Sequence, residues 1–496
     1  MDESPHPAMT ERAATRSAPL SRADFAFAER IDGREAEVEP GAALDAAIED
    51  CFDGRESAVV ALDSGTYQVD APIVLEGAAA VGLVAKPGAE VVLEAPADYE
   101  KALLAIRDVE RALVAGIDVG QRAPGAHPKL GVTASERFLI EDVAVRGIGD
   151  STDTGSRMPL RIEREGGVGV CRRVRAANGS AFLTDPDDHE TGRTTRPATW
   201  IGPESCGTIW FEDCHIEEHN SHAIYAAAAP GPIKILRGVY RNNDNSGIRF
   251  CGPDCEIDGA LIELDTGKCA HAPHEAYRNT RGIFNEQKKH PRTGGLVRDT
   301  TIRVRKHPRP VSGYVACGSG GGMTIAGCAF EIDEDCPAIT ANAPGEHWGH
   351  PPAPEPRAIA VLDSKIGGEA REGTAVRIAG RPGSRVENCC IAGCGERRGV
   401  EISLGSVRET TFDLDATAVV DAVAVGATRK GSCIDFFEER SPSNTDRYDE
   451  HDDYGHGNGR RGRRRSKPED ERDETGGGSQ GLRGTVASLL ERFDRD

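Results

Sequence analysis

Phe211-Glu-Asp-Cys-His-Ile216, Ile235-Leu-Arg-Gly-Val-Tyr240 and Ile257-Asp-Gly-Ala-Leu-Ile262 write one phrase three times, at intervals of 24 and 22 residues. The order is apolar, polar, turn-former, small, variable, apolar. A fixed period of this size marks a solenoid, in which one unit cannot bury its own apolar face and stacked neighbours do so instead. The phrase recurs upstream at Val114–Val119, Ile140–Val145 and, imperfectly, Val170–Arg175. Downstream it returns at Val297–Ile302, Ile325–Phe330, Val361–Ile366, Val386–Ile391 and Val407–Phe412. Its third position favours Gly116, Asp142, Asp213, Gly259, Asp299, Gly327, Asp363 and Asn388. These residue types tolerate a left-handed backbone, so a sharp bend is expected there. The fourth position is small (Cys214, Gly238, Ala260, Thr300, Cys328, Ser364, Cys389, Thr410), as stacking inside a narrow tube requires.

A second strand follows about a dozen residues later in most units. It reads Ala223-Ile-Tyr225, Gly247-Ile-Arg249, Gly282-Ile-Phe284, Ala338-Ile-Thr340 and Gly399-Val-Glu401. Leucine-rich repeats need Leu and Asn at fixed places, and propeller blades need about 40 residues. The pattern fits an all-β fold, a right-handed parallel β-helix spanning 39–437. Before the repeats, Gly41–Phe52 places Leu44, Ala47, Ile48 and Cys51 on one helical face. Such a helix would plug the open N-terminal end of the tube. Residues 1–38 read as disordered or loosely ordered. Residues 438–480 read as a disordered low-complexity tail, and 481–496 as a short amphipathic helix.

A helix followed by Gly65-Thr-Tyr67, Ile73-Val-Leu75 and Gly82-Leu-Val84 resembles the opening of pectate-lyase-like β-helix proteins. The resemblance covers roughly Gly41 to Phe436 and speaks for fold more than activity. The superfamily includes lyases, hydrolases, epimerases, viral tailspikes and inert scaffolds. The tail contains Asn444-Thr-Asp446, Asp452-Asp453 and Gly455-His-Gly457, similar to polygalacturonase motifs. In that family the motifs sit on successive coils. Here they crowd into 14 residues of tail, where nothing holds two carboxylates at a hydrolytic separation. The match is read as accidental.

The formal net charge is −21 and Lys is scarce against Arg, a composition resembling that of salt-loving archaeal proteins. An acidic chain argues against nucleic acid as a partner. No apolar run is long enough for a membrane span. The polar N-terminus lacks a secretory h-region, so the expected location is cytoplasmic, while analogy with the superfamily points outside the cell. Several of the 14 Cys occupy inward repeat positions and read as small apolar residues. Cys251-x3-Cys255 and Cys390-x3-Cys394 lack zinc-site spacing, so no metal site is assigned to them.

Inserts at Asp185–Pro197, Gln287–Gly294 and Ala343–Pro356 are each expected to follow a second strand and so to project from one side of the tube. The first two would flank a groove floored by the outward residues Leu183, Tyr225, Arg249 and Phe284. Aromatic rings around an Arg can stack on sugar faces and pair with a carboxylate. The expected function is therefore recognition, with cleavage as a further step, of an acidic polysaccharide. As an enzyme the protein would be a polysaccharide lyase or glycoside hydrolase. Asp187, Asp188 and Arg249 are the candidate catalytic residues, Arg249 as base or charge stabiliser. Tyr225, Phe284 and Trp348 are the candidate substrate contacts. Asp185, Asp187, Asp188, His189 and Glu190 form a carboxylate cluster of the kind that holds Ca²⁺. His271 and His274 with Glu275 offer half a metal site without an evident third ligand. The alternative is a non-enzymatic structural or adhesion β-helix, tailspike-like or a surface scaffold. Because Arg249 reads as an outward residue, its loss is expected to abolish binding with little effect on stability.

Overall fold

A computed structural model describes residues 16–41, 44–150, 155–180, 197–270, 279–422 and 424–433. By internal contacts the chain divides into 1–448 and 449–496, and every described residue belongs to the first unit. The expected tail and terminal helix, 438–496, lie outside the described residues, as do Asp187, Asp188, Leu183, His271, His274 and Glu275.

The chain is a right-handed parallel β-helix. Each unit lays down three strands. The first half of the phrase enters sheet I, a bend follows, and its second half enters sheet III. A longer turn then leads to sheet II and back to sheet I. In the unit that opens the repeat these strands are Thr208–Glu212, His215–Glu217 and Ile224–Tyr225. Register is in phase through the coils. Ile140 pairs with Cys171, Cys171 with Phe211, Phe211 with Ile235, and Ile235 with Ile257. The column continues through Val297, Ile325, Val361 and Val386. Each of these side chains is almost wholly buried, so the column is the tube's core. The imperfect phrase at Val170 is a misreading by one residue. Cys171 holds the inward place, and Arg173 bends at φ +52°, as Arg237 does at +58°, where Asp, Gly or Asn stands in most coils.

The bend expectation holds. Asp142, Asp213, Asp299, Asp363 and Asn388 all have φ near +50°. The fourth position follows a second rule that size alone does not reveal. Thr300, Ser364 and Thr410 donate their hydroxyls to the carbonyl two residues back, at 2.8, 2.7 and 2.9 Å. Cys389 does the same with its thiol at 3.2 Å. The same carbonyls already accept the N–H of the bend residue one coil back (Gly259, Gly327, Asp363 and Asn388), so the side chain adds a second bond at the bend. Ser, Thr and Cys are small and also supply the donor. Of the cysteines, Cys390 pairs with Cys433 in a disulfide, while Cys214, Cys328 and Cys389 are buried thiols at the fourth position.

The helix is Leu44–Phe52, with Leu44, Ile48 and Cys51 buried against the first coils. The upstream segment differs from expectation. Residues 16–38 lie along the body, and Glu29–Asp32 pairs in parallel with Ser57–Leu62. Phe25 and Ala18 cover Val59, Val84, Leu113, Leu139 and Val170, apolar residues on the outside of sheet I. That outward apolar strip needs a cover. The polar composition of the segment hid the few side chains that provide it.

Outside sheet III, Glu217, Arg241, Glu263, Arg303 and Glu331 form a register column of alternating charge. Arg241 Nε meets Glu263 at 2.7 Å and Arg303 Nε meets Glu331 at 3.1 Å. Opposite charges directly across a ladder stabilise it. Burial pushes Glu263 up, but Arg241 and Lys268 outweigh it and hold the carboxyl below its ordinary pKa.

Candidate functional site

Sheet II positions the site. Its outward column runs Pro159, Trp200, Tyr225, Arg249, Phe284, Val315 and Thr340. Tyr225, Arg249 and Phe284 are neighbours as the alternation of strand residues demands. The place beyond Tyr225 belongs to Trp200, on strand Thr199–Ile201, instead of Leu183. The segment 181–196 therefore precedes its sheet II strand, whereas Gln287–Gly294 and Ala343–Pro356 follow theirs. The inserts do not leave one common turn. Two of them leave the corner between sheets II and I, and the floor read as a groove between the first two is reassigned accordingly. The misreading arose because Ala181-Phe-Leu183 has a strand-like pattern and Trp200 stands alone among polar residues.

Arg249 points out of the tube yet is only 6% exposed. Its Nε donates to Glu286 Oε2 at 2.7 Å, and its Nη2 lies against the same oxygen. Its Nη1 donates to His222 Nε2 at 2.9 Å. The Nδ1–H of His222 then faces Ser246 Oγ at 2.7 Å, which assigns the tautomer from the partners. Burial, and then the nearby Arg249, Arg281 and Lys288, keep His222 well below its ordinary pKa, so it stays neutral and accepts. The guanidinium carbon lies 4.5 Å from the Tyr225 ring centre, 5.0 Å from Phe284 and 5.3 Å from Trp348. Such cation–π contacts strengthen when desolvated. Arg249 is thus a caged ion-pair member, which corrects the expectation of a free outward cation. Its Nε and Nη2 face Glu286 and its Nη1 faces His222, contacts that occupy the nitrogens a catalytic base would use.

Two further cations surround the cage. Lys288 Nζ donates to Tyr225 Oη at 2.7 Å and lies 5.9 Å from the Trp348 ring. Arg281 stacks 4.5 Å from Phe284. Burial first, and Arg249 second, lower its pKa to about 10. Its Nε has no hydrogen-bond partner among the described residues. His222, Ser246, Arg281, Glu286 and Lys288 were not singled out in the sequence. The available signal was their position beside sheet II strands, since each is within three residues of one end or lies in the strand.

Trp348 is brought over Phe284 by local backbone chemistry. His347 N donates to His350 O at 2.9 Å, and His350 N to His347 O at 3.0 Å. The two residues between them, Trp348 and Gly349, have φ +49° and +77°. Positive φ at both positions is the pattern of a type I′ turn. A bulky residue in that region is strained, and such strain collects at functional sites. The ring is 62% exposed. The insert is tied down behind it. Arg381, fully buried, donates to the carbonyls of Asn342, Gly320 and Cys317.

Glu286 and Cys317 are the first residues beyond adjacent sheet II strands, after the paired Asn285 and Ala316. His347 returns over them, with its Nε2 3.8 Å from Glu286 Oε1. Burial lowers the pKa of His347 despite the carboxylate beside it. Burial, followed by Glu286, raises that of Cys317.

No family model matches the sequence, and no curated protein matches it. The solved structures similar to it are right-handed β-helix proteins. The surface protein and adhesin PfbA of Streptococcus pneumoniae aligns at 11% identity, covering 81% of this chain and 99% of that one, with a TM-score of 0.41. The catalytic unit of the GH87 alpha-1,3-glucanase of Streptomyces thermodiastaticus aligns at 12% identity over 84% of this chain and 69% of that one, with a TM-score of 0.36. The family 28 exopolygalacturonase of Yersinia enterocolitica aligns at 11% identity over 81% and 78%, with a TM-score of 0.31. At these identities the likeness is one of fold alone.

Proposed function

We propose that the outer face of sheet II around Arg249 binds an acidic polysaccharide. The observation that carries this reading is the cluster of Arg249, Arg281 and Lys288 among Tyr225, Phe284 and Trp348, on a chain of net charge −21. Cations held this close repel one another, and an anion bound among them relieves that repulsion. Arg281 and Lys288 meet the uronate carboxylate. Arg249 supplies fixed positive charge from behind. Trp348 and Tyr225 supply the ring faces for sugar stacking. Asp187 and Asp188 are proposed to bridge to the polymer through Ca²⁺.

Recognition without cleavage is favoured by one observation. Glu286, the carboxylate that touches Arg249, is fully buried and already paired. It is poorly placed to serve as one of the two carboxylates that glycoside hydrolysis requires. This reading belongs with non-enzymatic adhesion more than with lyase or hydrolase action.

The test is calorimetric titration with a polyuronate, its carboxyl-reduced counterpart and a neutral glucan. Binding should require the carboxylate and weaken in Arg281→Ala and Trp348→Ala. Equal affinity for the carboxyl-reduced polymer, or no binding to any polyuronate, overturns the proposal. Release of shortened or unsaturated products would show that the site cleaves.

A further inference from the structure

Glu286, Cys317 and His347 offer three donor atoms at one corner of the tube. A carboxylate oxygen, Sγ and a ring nitrogen lie within 4.8 Å of one another. Glu286 is fully buried and Cys317 nearly so, while His347 is partly exposed. Glu286 uses Oε2 for Arg249, and its Oε1 has no hydrogen-bond partner among the described residues. His347 Nε2, also buried, has none either. An orphaned carboxylate oxygen at full burial is expensive, and two orphans aimed at one point, with a thiol beside them, call for a shared partner.

We propose that Glu286, Cys317 and His347 form a binding site for a divalent transition metal of the zinc class, with a fourth position left for water or a ligand group. Carboxylate, thiolate and imidazole together match the borderline-soft character of Zn²⁺ and exclude a preference for Ca²⁺ or Mg²⁺. A tetrahedral ion with bonds of about 2.0–2.3 Å sets its donors roughly 3.3–3.8 Å apart. The spacing of His347 Nε2 and Glu286 Oε1, 3.8 Å, is already at the edge of that range. The remaining separations, none above 4.8 Å, reach that range with an adjustment of about 1 Å at most. Three protein donors with one position open is the pattern of metal sites that meet a ligand. Arg249 holds the second oxygen of Glu286, and Asn285 O and Ser319 Oγ lie 3.6 and 3.4 Å from the Cys317 sulfur. These contacts orient the donors from behind. On binding, the Cys317 thiol gives its proton to solvent and the thiolate bonds to the ion.

The inference stands apart from polysaccharide binding and is tested apart from it. The metal-free protein is titrated with Co²⁺, followed by optical absorption, then with Zn²⁺ in competition. One equivalent should produce a thiolate-to-cobalt charge-transfer band that Zn²⁺ displaces. Cys317→Ser should abolish the band. His347→Ala should weaken Co²⁺ binding at least tenfold, and a near-parental melt separates that loss from unfolding. Absence of the band in the parent protein overturns the site, and so does its persistence in Cys317→Ser, which would assign it to another cysteine such as Cys206. Polyuronate binding that survives chelation alongside a missing cobalt band rejects the metal alone. A cobalt band with no polymer binding rejects the polysaccharide alone.

Discussion

Replacing Arg249 by Met should destabilise the coil around sheet II strongly. Glu286 has no exposed surface, and Arg249 keeps about 7% of its side chain exposed. Removing the cation leaves a buried carboxylate with no direct ion-pair partner, which the nearby Arg281 offsets only in part. Breaking a buried pair in this way costs about 3–5 kcal/mol. The lost contacts with Tyr225, Phe284 and Trp348 lie within that range and are not added to it. Glu286→Leu alone strands the guanidinium and should cost a similar amount. The double variant Arg249→Met/Glu286→Leu removes both charges and should recover most of the stability, giving a coupling of about 2–4 kcal/mol. Long solenoids lose all-or-none unfolding, so the assay should pair urea denaturation with hydrogen exchange at Thr280–Asn285. Single variants within about 0.5 kcal/mol of the parent, with an additive double, would refute the caged-pair reading. The same double variant separates stability from recognition. It should fold and yet bind a polyuronate at least tenfold more weakly, because the fixed cation is gone. Undiminished binding would place the anion site elsewhere on the surface.

Ile235→Ala, in the centre of the core column at 1% exposure, should cost about 2–5 kcal/mol by leaving a cavity. Denaturant midpoints check it, and a loss under about 1 kcal/mol would contradict close packing there. His222 is held neutral, its pKa below the unfolded value, so stability is intact above about pH 6.5 and falls below it by about 1.4 kcal/mol per pH unit. His222→Gln should flatten that slope. Glu141, Glu212, Glu256 and Glu263 all sit below their ordinary pKa through Arg partners, so a second loss should begin below about pH 4.3, their unfolded value. With net charge −21, the melting temperature should rise between about 0.1 and 2 M KCl as repulsion is screened. A flat or falling profile would remove the salt-adapted reading.

The repeat was legible because a solenoid repeats its physics. Every coil must bury one apolar residue at the same place, as Phe211, Ile235 and Ile257 do, and must bend at the same place, as Asp213, Gly259 and Asp299 do. Local pattern and global packing therefore coincide. Alternation then placed Tyr225, Arg249 and Phe284 on one outward column. Sequence could not say what stood beside them. Glu286, Cys317 and His347 are separated by about 30 residues each and belong to no motif. They meet because coils stack at about 4.8 Å and one insert folds back across the corner. The environment of Arg249 was equally hidden. A residue's face follows from its neighbours in the chain, but its burial depends on what covers that face. Here the cover is Glu286 from the next coil and Trp348 on a strained turn. The cover of residues 16–38 over sheet I has the same origin, since whether an apolar strip meets solvent or another segment is decided only when distant parts of the chain pack.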